Sequence, residues 1–459
     1  MRGARAAGWL ALGALLSACA QREAPERLPN VVLFVADTLR ADHLSTYGYD
    51  VETSPRLDAM AAASTVYTAA RATAPWTLPS HASLFTGLFP FQHRAHTIPR
   101  AERRVGARGL PEQAVTLAEA LGSVGYRTLG LAANDVFLQE KYGLAQGFER
   151  WTVRRSYLGA ALPRLWSWLD DGDERPLFLF VNAMDTHRPY NSAERPGFLP
   201  RPVDSKSGQR LDALYESVMG RGEAPDPDLL QALTDEYDTA IANLDEAFGE
   251  LLRGLEGRGL LEDAVVVFTS DHGEYFGEQQ LVEHSKDVYE PALHVPLIVR
   301  RTTRAAGRRV DEPVGLAQVP SLILGALPAG IRDELAAVAP ALVDPPTQDE
   351  RMLVLAENRY SRGKDLSDPR FAGRFWRERT VLYAPPYKWI RSSDGASQLF
   401  DLGQDPLEAH DLGATGPVAV ELDARLSTIL AGFERLPAAT GALDVDEDEL
   451  RRLEALGYR

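Results

Sequence analysis

Aspartate, histidine and threonine recur in this chain where apolar runs end, a placement that can assemble a metal site and an attacking hydroxyl. The run Asn30 to Ala36 stops at Asp37, Leu177 to Val181 leads into Met184-Asp185-Thr186-His187, and Ala264 to Phe268 leads into Ser270-Asp271-His272-Gly273. Carboxylates and imidazoles are both metal ligands and proton carriers, so each of these clusters is able to bind a metal. A fourth segment reads Thr77-Leu78-Pro79-Ser80-His81-Ala82-Ser83-Leu84-Phe85-Thr86-Gly87. Proline is tolerated near a helix start and glycine ends helices. The segment therefore predicts a helix with Thr77 at its positive end, where exposed amides can meet an anion or an alkoxide. By spacing alone Thr77 is equally an ordinary N-cap.

The three apolar runs are continuous rather than alternating, short and rich in β-branched residues, which predicts strands buried on both faces of a parallel sheet. In open α/β sheets ligands bind beyond the carboxyl ends of the strands, so acids and histidines far apart in sequence can meet in one crevice. Thr128 to Ala132 and Leu297 to Val299 read as further strands, and Thr116 to Val124 and Leu229 to Leu255 as helices. The Pro-, Gly- and charge-rich stretch 188–227 predicts loops and short helices at the mouth of the site. After Gly325 the composition changes. Met352 to Ala356, Thr380 to Ala384, Tyr387 to Ile390 and Gln398 to Phe400 read as a small antiparallel sheet, and Leu422 to Leu436 and Asp446 to Leu456 as helices. The expected fold is α/β: a large, predominantly parallel central sheet flanked by helices, with a small C-terminal antiparallel sheet and helices. Residues 30–330 would form the catalytic domain and 331–459 a C-terminal region completing the fold.

With 459 residues, 45% of them hydrophobic, the chain can bury one large core with a smaller satellite, or two cores. Its net charge of -16 and the absence of a basic stripe argue against nucleic acid as a partner. Any anionic substrate must be drawn in by local positive charge. Arg2 and Arg5 precede an uncharged, largely apolar stretch from Ala6 to Gln21 that is too short for a comfortable membrane span; residues 1–18 are expected to be an export signal. Leu16-Ser17-Ala18-Cys19 resembles the bacterial lipobox, which implies lipidation of Cys19, a tether over 19–29 and a membrane partner. Ala20 after that cysteine favours, by the same resemblance, the periplasmic side of the outer membrane in a bacterial cell envelope. Cys19 is the only cysteine, so no disulfide forms within the chain.

The Thr77 segment resembles the sulfatase signature, in which a cysteine or serine is followed by x-Pro-x-Arg and a helix ending in Thr-Gly. The similarity recurs in Phe180 to Tyr190, in Tyr237-Asp238 with Ile241 and Asp245, in Thr269 to Glu274, in His284 to Glu290 and in His294 to Val299, and continues to Leu402, Asp405-Pro406 and Leu453 to Tyr458. It implies membership of the sulfatase family within the alkaline-phosphatase-like superfamily.

The departures bear on chemistry. Typical sulfatases convert the signature cysteine or serine to formylglycine; Thr77 stands there and His81 replaces the signature arginine. The lysine that usually follows the Gly-Tyr-x-Thr strand is absent, the chain continuing instead to Asn134-Asp135. Other superfamily members use a threonine alkoxide directly as nucleophile, activated by a metal. Mapped by motif, Asp37, Thr77, Asp271 and His272 would hold the metal. Ala36 stands where many sulfatases carry a further aspartate, and Asp271-His272 replaces the commoner Asp-Asn; fewer carboxylates plus an imidazole favour zinc or manganese, with calcium as the lesser option. A second ion, or substrate, is left open at Asp185, His187 and His284. The resemblance places His187 and His284 beside the substrate as hydrogen-bond or proton donors, Lys286 for charge stabilisation and Arg40 just after the first acid. The expected reaction is metal-dependent hydrolysis of a phosphate monoester, phosphodiester or phosphonate ester, an anionic substrate, through a phosphothreonine. The alternatives are a sulfuric ester hydrolase using unmodified threonine, and a catalytically inactive envelope- or glycan-binding protein.

Overall fold

The central sheet has eight strands in the spatial order Arg308–Val310, Thr65–Tyr67, Leu297–Arg301, Val265–Ser270, Val31–Ala36, Leu177–Ala183, Arg127–Ala132 and Arg150–Val153. The computed structural model describes residues 28–439 and Leu443, apart from 100–104, 192, 194, 196–197, 200–202, 302–306, 349–350 and 372. Every residue of Val31–Ala36 and Leu177–Ala183 is buried, as expected for strands covered on both faces. Register aligns their ends: Ala36 pairs with Ala183 on one side and Ser270 on the other, in parallel.

Only Leu297–Arg301 runs against the other strands. A parallel return needs a crossover, commonly a helix of a dozen residues or so. The chain between Ser270 and Leu297 holds no α-helix longer than Glu290–Leu293, and it turns back at the same edge of the sheet. Those intervening residues carry His272 and His284.

The helix Pro227–Glu256 packs across the sheet. Asp226 caps it by accepting from the backbone N–H of Asp228 and Leu229, and Pro227 stands at its first position. Leu233, Tyr237, Ile241, Leu244, Phe248, Leu251 and Leu255 form its buried face. The Phe248 ring lies tilted 4.9 Å from that of Phe34 and edge-on 5.0 Å from that of Phe268, clamping the two strands that deliver Asp37 and Asp271.

The C-terminal sheet is an antiparallel meander of Leu355–Arg359, Glu378–Ala384, Tyr387–Ser392 and Gln398–Asp401. The strand expected from Met352 is broken: Arg351–Met352 pairs with Thr347–Gln348 and the longer strand starts at Leu355. The expected helix from Leu422 starts earlier, at Pro417, and ends at Gly432; Ala419, Leu422 and Leu426 pack on Leu382, Trp389 and Leu399. Two helices, Ala329–Val338 and Pro340–Val343, occupy the Ala-rich stretch before it. Cys19 and the helix expected over Asp446 to Leu456 lie outside the described residues. Among the described residues no helix is long and apolar enough to cross a membrane.

Candidate active site

At the carboxyl edge of the sheet the loops after the Val31 and Leu177 strands are cross-stitched. The Thr38 hydroxyl donates to the Thr186 carbonyl and the Thr186 hydroxyl to the Asp37 carbonyl, both at 2.7 Å. Tyr237, from the long helix, donates to the Thr38 carbonyl and accepts from the Arg40 N–H. Asp37 is thereby held level with Asp271. Gly273 follows His272 because a Cβ there would lie 2.1 Å from the Pro291 carbonyl oxygen, so the chain can leave the ligand pair only through a glycine.

Asp37, Asp271 and His272 bring one ligand atom each within 4.8 Å of one another. His272 Nδ1 lies 3.0 Å from the Gly273 carbonyl, which assigns its proton to that nitrogen. The Nε2 lone pair then faces Asp271 Oδ2 at 3.4 Å and Asp37 Oδ1 at 3.8 Å. These three electron-rich atoms are buried without a hydrogen-bond partner among the described residues. Each unsatisfied buried acceptor costs about 1–3 kcal/mol, and burial, reinforced at Asp37 by the charge of Asp271, pushes both carboxyls up to about 7. A divalent cation is the group that satisfies all three at once, so the donor set fits a metal.

Thr77 opens the helix Thr77–Thr86, with Trp76 rather than Thr77 at the cap position and Gly87, φ 70°, closing it. Thr77 is fully buried and stands at the first helical position, so the cap position falls to its neighbour. Asn134 Nδ2 donates to Thr77 Oγ1 at 3.2 Å and to Asp37 Oδ2 at 2.9 Å, and the hydroxyl lies close enough to Asp271 to lower its pKa. Asn134 is held in turn by Asn182, whose Oδ1 accepts from its backbone N–H at 3.0 Å. Sequence reasoning missed Asn134 as a site residue; the available signal was its place just beyond the Arg127–Ala132 strand, where the expected lysine is absent. His81, one turn along the helix, donates Nδ1 to the Thr77 carbonyl at 3.0 Å and stands 3.5 Å from Asp271.

The His284 ring lies 4.8 Å from that of His272 and 5.0 Å from that of His187, so both imidazoles join the crevice. Burial keeps them neutral, His187 down to about 3 and His284 well below its ordinary value. His187 Nδ1 faces the Arg188 carbonyl at 2.8 Å, leaving Nε2 as the acceptor nitrogen. His284 Nδ1 faces Glu274 Oε1 at 3.0 Å, and burial with the neighbouring Glu283 charge pushes Glu274 up to about 8.

Three other expected residues are engaged by other partners. Asp185 accepts from the Leu158 N–H and from Asn191 Nδ2, which occupies both its oxygens. Lys286 is buried in an ion pair with Asp365 at 2.7 Å. Arg40 is taken up by Asp42, Glu278 and the Glu274 carbonyl, bracing the loop beyond His272.

The family model described as Sulfatase matches residues 29–329, about two thirds of the chain. The chain belongs to the sulfatase family. Among curated sulfatases it is 26% identical to an ulvan-active sulfatase of Formosa agariphila, over 90% of this chain and 82% of that one. Among solved structures it superimposes on the phosphonate monoester hydrolase of Agrobacterium radiobacter with a TM-score of 0.64 at 19% identity, covering 92% of this chain and 98% of that one. A phosphonate monoester hydrolase from Silicibacter pomeroyi follows at 0.60 and 21%, covering 88% and 94%. This sulfatase-family chain departs from the signature at its nucleophile position, where Thr77 replaces the oxidisable cysteine or serine.

Proposed function

We propose that the chain hydrolyses a phosphate monoester, phosphodiester or phosphonate ester through a covalent phosphothreonine at Thr77. The observation that carries this reading is the placement of Thr77 Oγ1: bonded to the same Asn134 amide as Asp37, and beside three buried acceptors that call for a cation. A threonine hydroxyl cannot become the formylglycine aldehyde, so covalent catalysis at this position would use the hydroxyl oxygen itself. The phosphonate monoester hydrolases on the same fold supply a reaction class into which such a site fits, although fold alone does not assign chemistry.

A divalent cation held by Asp37, Asp271 and His272 would act as a Lewis acid and lower the pKa of a neighbouring hydroxyl; one imidazole with few carboxylates favours zinc or manganese. Thr77 attacks phosphorus in line with the leaving oxygen, and Asn134 orients the hydroxyl. Across that step the hydroxyl loses one proton and the leaving oxygen gains one. His187, with Nε2 as acceptor, suits the first transfer and, when water cleaves the intermediate, returns that proton to Thr77. His284 suits the second: as its Nε2 proton passes to the departing oxygen the proton of Glu274 moves to Nδ1, and the pair regains a proton from the water that cleaves the intermediate.

The test is intact-mass and peptide analysis of protein quenched during turnover of an aryl phosphonate, where phosphorus should be found on Thr77. Full activity in Thr77→Ala would reject the role. A second reading, sulfate ester hydrolysis by unmodified threonine, is favoured by the identity to the ulvan-active sulfatase; parallel rates on aryl phosphate, diaryl phosphate, aryl phosphonate and aryl sulfate separate the two. We further assign 30–330 as the catalytic domain completed by 331–459, and Cys19 as a lipid anchor on the periplasmic side of the outer membrane of a bacterial envelope. Release of Cys19→Ala into the soluble fraction supports the anchor, and its retention in membranes counts against it.

A further inference from the structure

The acidic chain gathers positive charge beside its crevice. Glu283, buried next to His284, contacts four cations: Arg188 Nη1, Arg362 Nη2, Lys364 Nζ at 3.3 Å and Lys286 Nζ at 3.9 Å. Asp365 pairs with Lys286 at 2.7 Å and stands 3.7 Å from Arg362. Among the described residues Asp212 also reaches Arg188, at 3.2 Å, but it is two-thirds exposed and too well solvated to neutralise much, and the nearby buried Glu274, pushed up to about 8, is protonated near neutrality. Four cations therefore face two buried carboxylates. Excess charge of one sign in a buried cluster is costly unless a counter-charge arrives.

The rest of the geometry fits an arriving anion. Arg188 Nε is buried without a partner among the described residues. Lys364 lies over the Tyr215 ring at 4.5 Å, and its side chain is 18% exposed, so the cluster reaches the surface. Arg188 follows His187 directly, and the charges of Arg362 and Lys286 are felt at His284. Arg362 and Lys364 come from the C-terminal region, and Arg188 and Glu283 from the two loops that carry the site imidazoles.

We propose that Arg188, Arg362 and Lys364 form a second anion site, which binds a carboxylate or phosphate on the part of the substrate remote from the reacting phosphorus. The preferred ester then carries two separated negative charges. This rests on the phosphoryl-transfer reading for the identity of the reacting group, but the anion site itself does not require turnover.

The test compares 4-nitrophenyl (4-carboxyphenyl)phosphonate with its neutral 4-carboxamide counterpart, which share one leaving group. The metal-loaded full chain should show KM at least about tenfold lower for the carboxylate, as a charge-assisted contact implies. Lys364→Gln should bring the two KM values within about threefold, while Lys364→Arg keeps the preference; Glu283 retains Arg188 and Arg362 in both. Calorimetric binding of both compounds to Thr77→Ala makes the comparison without chemistry. Preferential binding of the carboxylate there, with no turnover by the unmodified protein, would support the anion site and reject phosphoryl transfer. Equal binding of the two, or a preference untouched in Lys364→Gln, would overturn the anion site.

Discussion

Asn134 Nδ2 lies 3.2 Å from Thr77 Oγ1, so the hydroxyl accepts from the amide and keeps its own proton to give away. The same side chain caps its own loop, Oδ1 accepting from the N–H groups of Val136 and Phe137 at 3.2 and 3.0 Å. Asn134→Ala is expected to lower kcat by about 100-fold, the scale of removing one positioned donor, and to cost about 1–2 kcal/mol of stability. Steady-state kinetics beside a urea melt check this. An undiminished kcat would remove Asn134 from the chemistry and leave it a loop cap.

Asp37 and Asp271 are both held above the ordinary carboxylate range, at about 7. A group whose folded pKa is raised contributes stability below its unfolded pKa, near 4, and that contribution is lost as pH rises through the folded value. Chelator-treated protein should therefore lose stability between about pH 4 and 7, as two unpaired buried charges develop. Added zinc or manganese should raise Tm, by an increment that grows over the same interval because metal competes with protons. Thermal melts at several pH values with and without metal read both; a metal increment independent of pH would contradict this donor set.

Asp365 responds in the opposite sense. Burial alone would raise it, but Lys286 and then Arg362 outweigh burial and hold it at about 2. Its contribution is complete above about pH 4 and disappears as pH falls towards 2. Asp365→Ala leaves Lys286 and Arg362 short of a counter-charge and should cost about 3–5 kcal/mol near neutrality. Lys286→Met combined with Asp365→Leu should recover much of it. Urea melts of the two variants beside the parent decide, and an Asp365→Ala protein as stable as the parent would show the pair to be dispensable.

Ser285 adopts a left-handed backbone, φ 64°, between His284 and Lys286, with its N–H on the Pro75 carbonyl at 2.9 Å. A non-glycine residue held there stores about 1 kcal/mol or more. Ser285→Gly is expected to relieve that strain, less the extra entropy of the unfolded chain, for a net change within about 1 kcal/mol of zero. Ser285→Val, branched at Cβ, should be clearly destabilising. Equal stability of the two variants would be incompatible with this backbone.

How far the site could be read in advance depended on whether its signal was local. The strands ending at Asp37 and at Asp271 announce themselves by uninterrupted apolar runs, because a strand buried on both faces has no polar position to spare. The helix after Thr77 was legible from Pro79 near its start and Gly87 at its end, which are equally local marks. Asn134 carried no such mark, since asparagine after a strand is ordinary turn chemistry. Thr77 stands at the helix start as expected, and the alternative of an ordinary cap fails because Trp76 occupies that position.

The residue order alone determined the α/β class, the strands that deliver two acids and an imidazole, the threonine at a helix start and the likeness to a family. Each of these follows from side chains within one run or one turn of each other. Tertiary packing decided the rest: that one amide joins Thr77 to Asp37, that Lys286 is held by Asp365, that Asp185 serves the Leu158 N–H, and that Arg362 and Lys364 return from the C-terminal region to Glu283. Ion pairs and hydrogen bonds act over a few ångströms in space and have no period along the chain, so partners separated by a hundred residues can be chosen only once the core has closed around them.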